Sequence, residues 1–191
     1  MVWGDHTRTI TAVALVAITF AGLTACATES GAGSGPGATL TLAQTKSPVQ
    51  LLRNEAASRV DEFVVETVNE TEDLSVACKT ADADPQGLSR SWTSSVEVSL
   101  KEGSAWRVAI VSDELVASFE KQGWVASRGA PSAVTYTQLK SETSAATIGL
   151  TVTNADTATG TPAKLQITTK GPCVTTGGAK SDEVLKLETA K

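Results

Sequence analysis

Ser118-Phe119-Glu120-Lys121 sets a hydroxyl one helical turn from an amine. A lysine so placed can draw the proton from a serine and make it a nucleophile. The S-D-N and K-T-G segments that complete acyl-transfer machinery of this kind are missing from the chain. Asp82, Asp84 and Gln86, followed by Gly87, put side-chain oxygens at alternate positions, as the front of a calcium loop does. The bidentate carboxylate such a loop needs falls on Thr93, and Pro85 interrupts it. Trp92, Trp106 and Trp124 are candidates to line a ligand cleft, against the simpler reading that they fill core. The single histidine is His6. A chain processed beyond it carries none, which removes Ser-His-Asp and Cys-His catalysis and makes the usual zinc and copper sites improbable. Gly177-Gly178-Ala179-Lys180-Ser181 misses the phosphate-loop spacing by one residue. These tests together predict no enzyme, no cofactor and no metal.

Three cysteines remain. Cys26 ends a run of mostly apolar residues, 10–22, that would span roughly 20 Å as a helix, short of a bilayer core of about 30 Å. That length, after a short segment with Arg8, fits a secretory signal better than a stable membrane span. Leu23-Thr24-Ala25-Cys26 resembles the lipobox of bacterial lipoproteins. The resemblance implies cleavage before Cys26, a thioether-linked diacylglycerol on its thiol, and a stay at the outer face of the cytoplasmic membrane. Two acyl chains hold a protein stably where one does not. Residues 26–46, rich in Gly, Ser, Ala and Thr, read as a flexible tether of roughly 25 Å end to end. Export to an oxidising compartment favours a bond between Cys78 and Cys173, with a free reactive thiol as the alternative.

The net charge is -5 with no basic stripe, which excludes nucleic acid as a partner. Apolar residues are 41% and aromatics 4%, so a packed core must rest on Val, Leu, Ile and Ala. Ser47-Pro48-Val49-Gln50 reads as a helix start. Val49, Leu52, Ala56, Val60, Val64 and Val68 then trace one face of a helix of about twenty residues. Glu55, Asp61, Glu62, Glu66 and Glu70 fall on its solvated side. Leu74, Val76 and Cys78 alternate as a strand, and so do Trp92 to Leu100. Trp106, Val108 and Ile110 suggest the second arm of a hairpin. Val108, Val111, Leu115 and Phe119 equally fit a helix beginning near Ala105. A second helix starts at Ser112 on the first reading, and ends at Gly123. Strands follow at 124–127, 134–141, 146–153 and 164–170.

The predicted fold is α+β: two helices packed on a mainly antiparallel sheet. The predicted divisions are a signal peptide, 1–25; a lipidated tether, 26–46; a domain, 47–174; and a mobile polar tail, 175–191. The order of Cys78, Ser91-Trp92, Gly123-Trp124 and Gly171-Pro172-Cys173-Val174 looks like small exported lipoproteins of actinobacteria. That resemblance implies fold and location and supplies no catalytic residues. The expected role is an envelope interaction or binding module, with a carrier or sensor of an apolar small molecule as the alternative. A hydrolase using an unrecognised carboxylate pair is a third class.

Overall fold

The computed structural model describes residues 39–130, 132, 134–155, 158, 160 and 162–190. The signal segment, Cys26 and most of the tether lie outside these residues. Among the described residues, no helix is long and apolar enough to cross a membrane.

The elements run α1 (Leu42–Ser58), β1 (Val65–Ala77), β2 (Ser89–Leu100), a 3₁₀ turn (Glu102–Arg107), α2 (Val108–Glu120), β3 (Val125–Arg128), β4 (Val134–Lys140), β5 (Thr147–Thr153), β6 (Lys164–Lys170), β7 (Val174–Thr175) and α3 (Asp182–Thr189). The strands form one seven-stranded sheet in the order β1-β2-β6-β5-β4-β3, with β7 beside the start of β2. Every pairing is antiparallel. The class is therefore α+β, as expected, with three α-helices among the described residues where two were expected.

The strands of the second half follow their alternation. Ile148, Leu150 and Val152 of β5 and Leu165 and Ile167 of β6 are buried on one face. Register places Leu150 opposite Ile167, and Ile167 opposite Val96 of β2. α2 covers this face with Val108, Val111, Leu115, Val116 and Phe119. Gly123 follows α2 at φ +86°, a left-handed conformation that glycine adopts without cost and that ends the helix.

Several expectations fail, each for a local reason. α1 begins at Leu42, inside the segment read as tether. Thr41 and Gln44 form a capping box there: the Thr41 N–H donates to Gln44 Oε1 at 2.9 Å, and the Gln44 N–H to Thr41 Oγ1 at 3.4 Å. Pro48 accordingly sits inside the helix and not at its first position. The helix ends at Ser58, because Asp61 Oδ1 accepts from the Phe63 N–H at 2.9 Å and turns the chain. Val64 remains buried in that turn, while Val68 lies exposed on β1. Glu66 and Glu70 likewise belong to β1, the sheet's edge, whose register breaks twice. Acidic side chains and bulges on an edge strand discourage pairing with another chain.

In β1 the parity is also reversed. Ser75 faces the helices, and Leu74 is exposed. Residues 105–111 form no strand; the helical alternative holds, because Val108 and Val111 meet the core together. Finally, the tail is not loose. β7 pairs with Ser89 and Arg90, and Ser181 caps α3, which buries Val184.

A candidate binding groove along the first helix

The outer side of α1 forms one wall of an open groove of about 490 Å³. The chain linking β4 to β5 (Thr143, Ser144, Ala145, Ala146) and Pro172 form the other. Its surface is mainly apolar: Leu40, Pro48, Leu51, Leu52, Ala146 and Pro172. Leu51 is 64% exposed and Leu40 43%, so two large apolar side chains stand uncovered at its rim. Glu55 is the single ionisable residue in the wall. The volume lies within the range of about 300–1,000 Å³ common for ligand sites.

Close packing underneath fixes the groove. Gly171 sits against α1 and donates its N–H to the Trp92 carbonyl at 2.9 Å. A Cβ at residue 171 would stand 3.1 Å from Val49 Cγ2 and 3.4 Å from Thr45 Cβ, so a larger residue would push the helix away. Thr169 Oγ1 reaches the Val49 carbonyl at 2.8 Å and ties the same turn of α1 to β6.

Several side-chain oxygens of the wall are committed to their neighbours. Gln44 Oε1 holds the cap of α1. Thr45 Oγ1 donates to the Leu42 carbonyl at 2.7 Å. Ser144 Oγ accepts from the Ala146 N–H at 3.2 Å, and Thr143 Oγ1 pairs with Ser141 Oγ at 2.9 Å. Glu55 is paired with Arg59.

The three tryptophans do not line this groove and occupy three different settings. Trp92 is fully buried. Its Nε1 donates to Asp73 Oδ1 at 2.8 Å, and Gln50 Nε2 donates to the other oxygen of that carboxylate at 2.6 Å. Lys46 Nζ lies 4.6 Å from the centre of its ring and donates to the carbonyls of Leu187 and Ala190 at 2.7 and 2.8 Å. Trp124 packs edge-on against Phe119, ring centres 5.5 Å apart, at the margin of the main core. Trp106 is 72% exposed on the 3₁₀ turn. A cleft lined by all three is therefore not formed. Trp92 is a structural hub because its buried N–H has found a carboxylate.

The other candidates resolve similarly. Ser118 Oγ donates to the Leu115 carbonyl at 2.7 Å and accepts from Arg59 Nη1 at 3.2 Å, which occupies the hydroxyl within its own helix. Asp84 closes the loop after β1: its carboxylate accepts from the Ser89 N–H at 2.7 Å and the Leu88 N–H at 2.9 Å. Those two donors, Ser89 foremost, hold its carboxyl below the usual value of 3.8. Among the described residues, no group of three or more His, Cys, Asp or Glu side chains is placed to hold a metal.

Cys78 and Cys173 form a disulfide with Cα atoms 6.1 Å apart, at a sequence separation of 95. It joins the end of β1 to the start of β7. Beside it, the Arg90 guanidinium donates to Ser75 Oγ at 2.9 Å and to the Ser75 carbonyl at 2.8 Å. Ser75 Oγ in turn donates to Glu188 Oε1 of α3 at 2.7 Å. Sequence reasoning missed the groove residues other than Val49 and Leu52, both of which it assigned to the buried helix face. The one signal was Thr41-x-x-Gln44, a capping box that places the helix start two turns before Val49.

The described residues define an α+β domain, with three α-helices on one antiparallel sheet and an apolar groove beside α1. Comparison with protein-family models, with curated proteins and with solved structures finds no match to this chain.

Proposed function

We propose that this protein is a lipoprotein held at the extracytoplasmic face of the cell membrane through Cys26. Its α+β domain works without catalysis, as a binding module for an apolar partner. The observation that carries the binding role is the groove along α1, whose mainly apolar wall leaves Leu51 and Leu40 uncovered. The Leu23-Thr24-Ala25-Cys26 border and the apolar run before it support the anchor. A carrier of an apolar small molecule is the second reading. The helix–sheet interior is packed with Leu, Ile, Val and Phe side chains, so such a molecule would be taken up by the groove and not between the layers.

Two measurements test the proposal. Replacing Cys26 by Ser should abolish acylation, seen by intact mass, and release the chain from membranes. Unchanged membrane retention without acyl groups counts against the anchor. Native mass spectrometry of the chain should find either a retained apolar ligand or a partner that Leu51→Glu dislodges. A bare chain whose behaviour is indifferent to that substitution removes the binding role.

A further inference from the structure

We infer that the face of the sheet turned away from the helices binds an acidic polysaccharide, a chain of sugars that carries carboxylates. This surface is separate from the α1 groove, and the inference does not depend on the anchor.

All three helices lie on one face. α1 meets it at Thr169 and at Ser94, whose Oγ accepts from Arg53 Nη1 at 2.9 Å. α2 covers Leu150 and Ile167, and α3 reaches Ser75 through Glu188. Side chains alternate across a strand, so the residues between these point the other way. Among the described residues, no helix covers them. Strand pairing sets them out as a grid. In one row Tyr136 of β4 stands opposite Thr151 of β5, and Thr151 opposite Gln166 of β6. In the next, Gln138 stands opposite Gly149. Beyond that, Lys170 of β6 stands opposite Thr147 of β5, and Lys140 of β4 follows the Leu139–Ile148 pair on Thr147's other side.

The first argument is charge. Across β2, β6, β5 and β4 this face carries Lys140, Lys164 and Lys170 against a single carboxylate, Glu97. Lys164 Nζ holds Glu97 at 3.0 Å. Lys140 and Lys170 have no ion pair or hydrogen bond among the described residues. Glu72 stands apart on the edge strand, opposite Ser95. The chain as a whole has a net charge of -5, yet this face is positive. It is the side a polyanion can approach. The two unpaired lysines sit two strands apart, about 10 Å, a spacing that suits successive charges on a polymer better than one small anion.

The second argument is the ring between them and the far row. Tyr136 is 47% exposed and lies across Gly149. A Cβ at residue 149 would stand 3.0 Å from Tyr136 Oη and 3.2 Å from its Cε2. One side of the ring therefore rests on β5, and the exposed remainder faces solvent. The electron-rich face of such a ring attracts the polarised C–H groups of a sugar. Beside it, the side chains of Gln138, Thr151 and Gln166 have no hydrogen-bond partner among the described residues. Amides and a hydroxyl supply both donors and acceptors, as adjacent sugar hydroxyls require. An acidic peptide would engage the lysines and leave the ring and amides idle. An acidic glycan uses all three.

The test is a calorimetric titration of the full chain, in neutral detergent at low salt, with a hexamer of mannuronate, which carries one carboxylate per sugar. Saturable binding is expected, and about 0.5 M salt should remove most of it. Lys140→Glu together with Lys170→Glu should weaken binding about tenfold, and Tyr136→Ala about fivefold. None of these side chains is buried, so the fold should persist, and circular dichroism verifies it. Maltohexaose, which has the sugars without the charge, and hexaglutamate, which has the charge without the sugars, should each bind about tenfold more weakly. No binding of the hexuronate, or binding unchanged in both variants, overturns the inference. Hexaglutamate held as tightly as the hexuronate makes the face a site for acidic peptides and overturns it too. So does maltohexaose held as tightly, since the lysines would then play no part.

Discussion

Two regions of one sheet hold their helices by different means. Under α2, the contact is almost wholly apolar: Val111, Leu115 and Phe119 against Ile148, Leu150, Leu165 and Ile167. Around Trp92, the apolar set is small, with Leu42, Val49, Val174 and Val184. There Asp73, Gln50, Lys46 and the Arg90–Ser75–Glu188 chain of hydrogen bonds share the work with the disulfide. The apolar region gains from the area it removes from water and tolerates changes that conserve volume. The Trp92 region gains from geometry, so losing one partner strands another. It also joins three distant parts of the chain: the start of α1, β2 and α3. Such a joint must be held by directional bonds and a covalent link, because its apolar area is too small.

Four variants sharpen that contrast. Trp92→Ala should have the largest effect, about 4–5 kcal/mol by denaturant melt, since it opens a cavity and leaves Asp73 without its buried donor. A loss below about 2 kcal/mol would mean that the hub is dispensable. Leu150→Ala, in the apolar region, should cost about 3 kcal/mol with no change in the exposure of α3 to proteolysis. Removing the disulfide with Cys78→Ser and Cys173→Ser should cost about 2–4 kcal/mol, since the bridge closes a loop of 95 residues. It should also raise amide exchange in α3 before it affects α2. Equal exchange in both helices would erase the distinction between the two regions. Lys46→Met should cost only about 1 kcal/mol, through the Leu187 and Ala190 carbonyls left without their donor and a lost contact with the Trp92 ring. Its effect should be confined to α3.

The smallest effect is read in acid. Asp84 carries a carboxyl held below 3.8 in the folded chain by the Ser89 and Leu88 amides. Its stabilising contribution is complete above the unfolded value and is lost as pH falls through the depressed folded one. Melting temperatures measured from pH 6 to pH 2 should therefore decline less steeply in Asp84→Asn than in the unaltered chain. Identical slopes would show that the loop contributes nothing to acid sensitivity.

Legibility in the sequence followed the strength of each local signal. β4, β5 and β6 were readable because one buried face and one wet face impose a period of two on Leu139, Ile148, Leu150, Leu165 and Ile167. The start of α1 was obscured because its capping box lies within a stretch whose composition suits a linker. Residues 105–111 satisfy two periods at once: Val108 with Ile110 suggests a strand, and Val108 with Val111 a helix. α3 shows only Val184 and Leu187 to the interior, too few to mark a buried face in one dimension.

By itself the sequence determined the α+β class and the antiparallel meander of the second half, because their periodicity is written locally. The pairing of Cys78 with Cys173 was an expectation that rested on the exported reading, with a free thiol as the alternative, and the folded chain decided it. Only the tertiary structure decided that Trp92 would be a hydrogen-bonded hub, that the tail would dock, and that a groove would open along α1. That groove gathers residues 40–55, 143–146 and 172, and no local pattern records which surfaces the folded chain leaves facing one another.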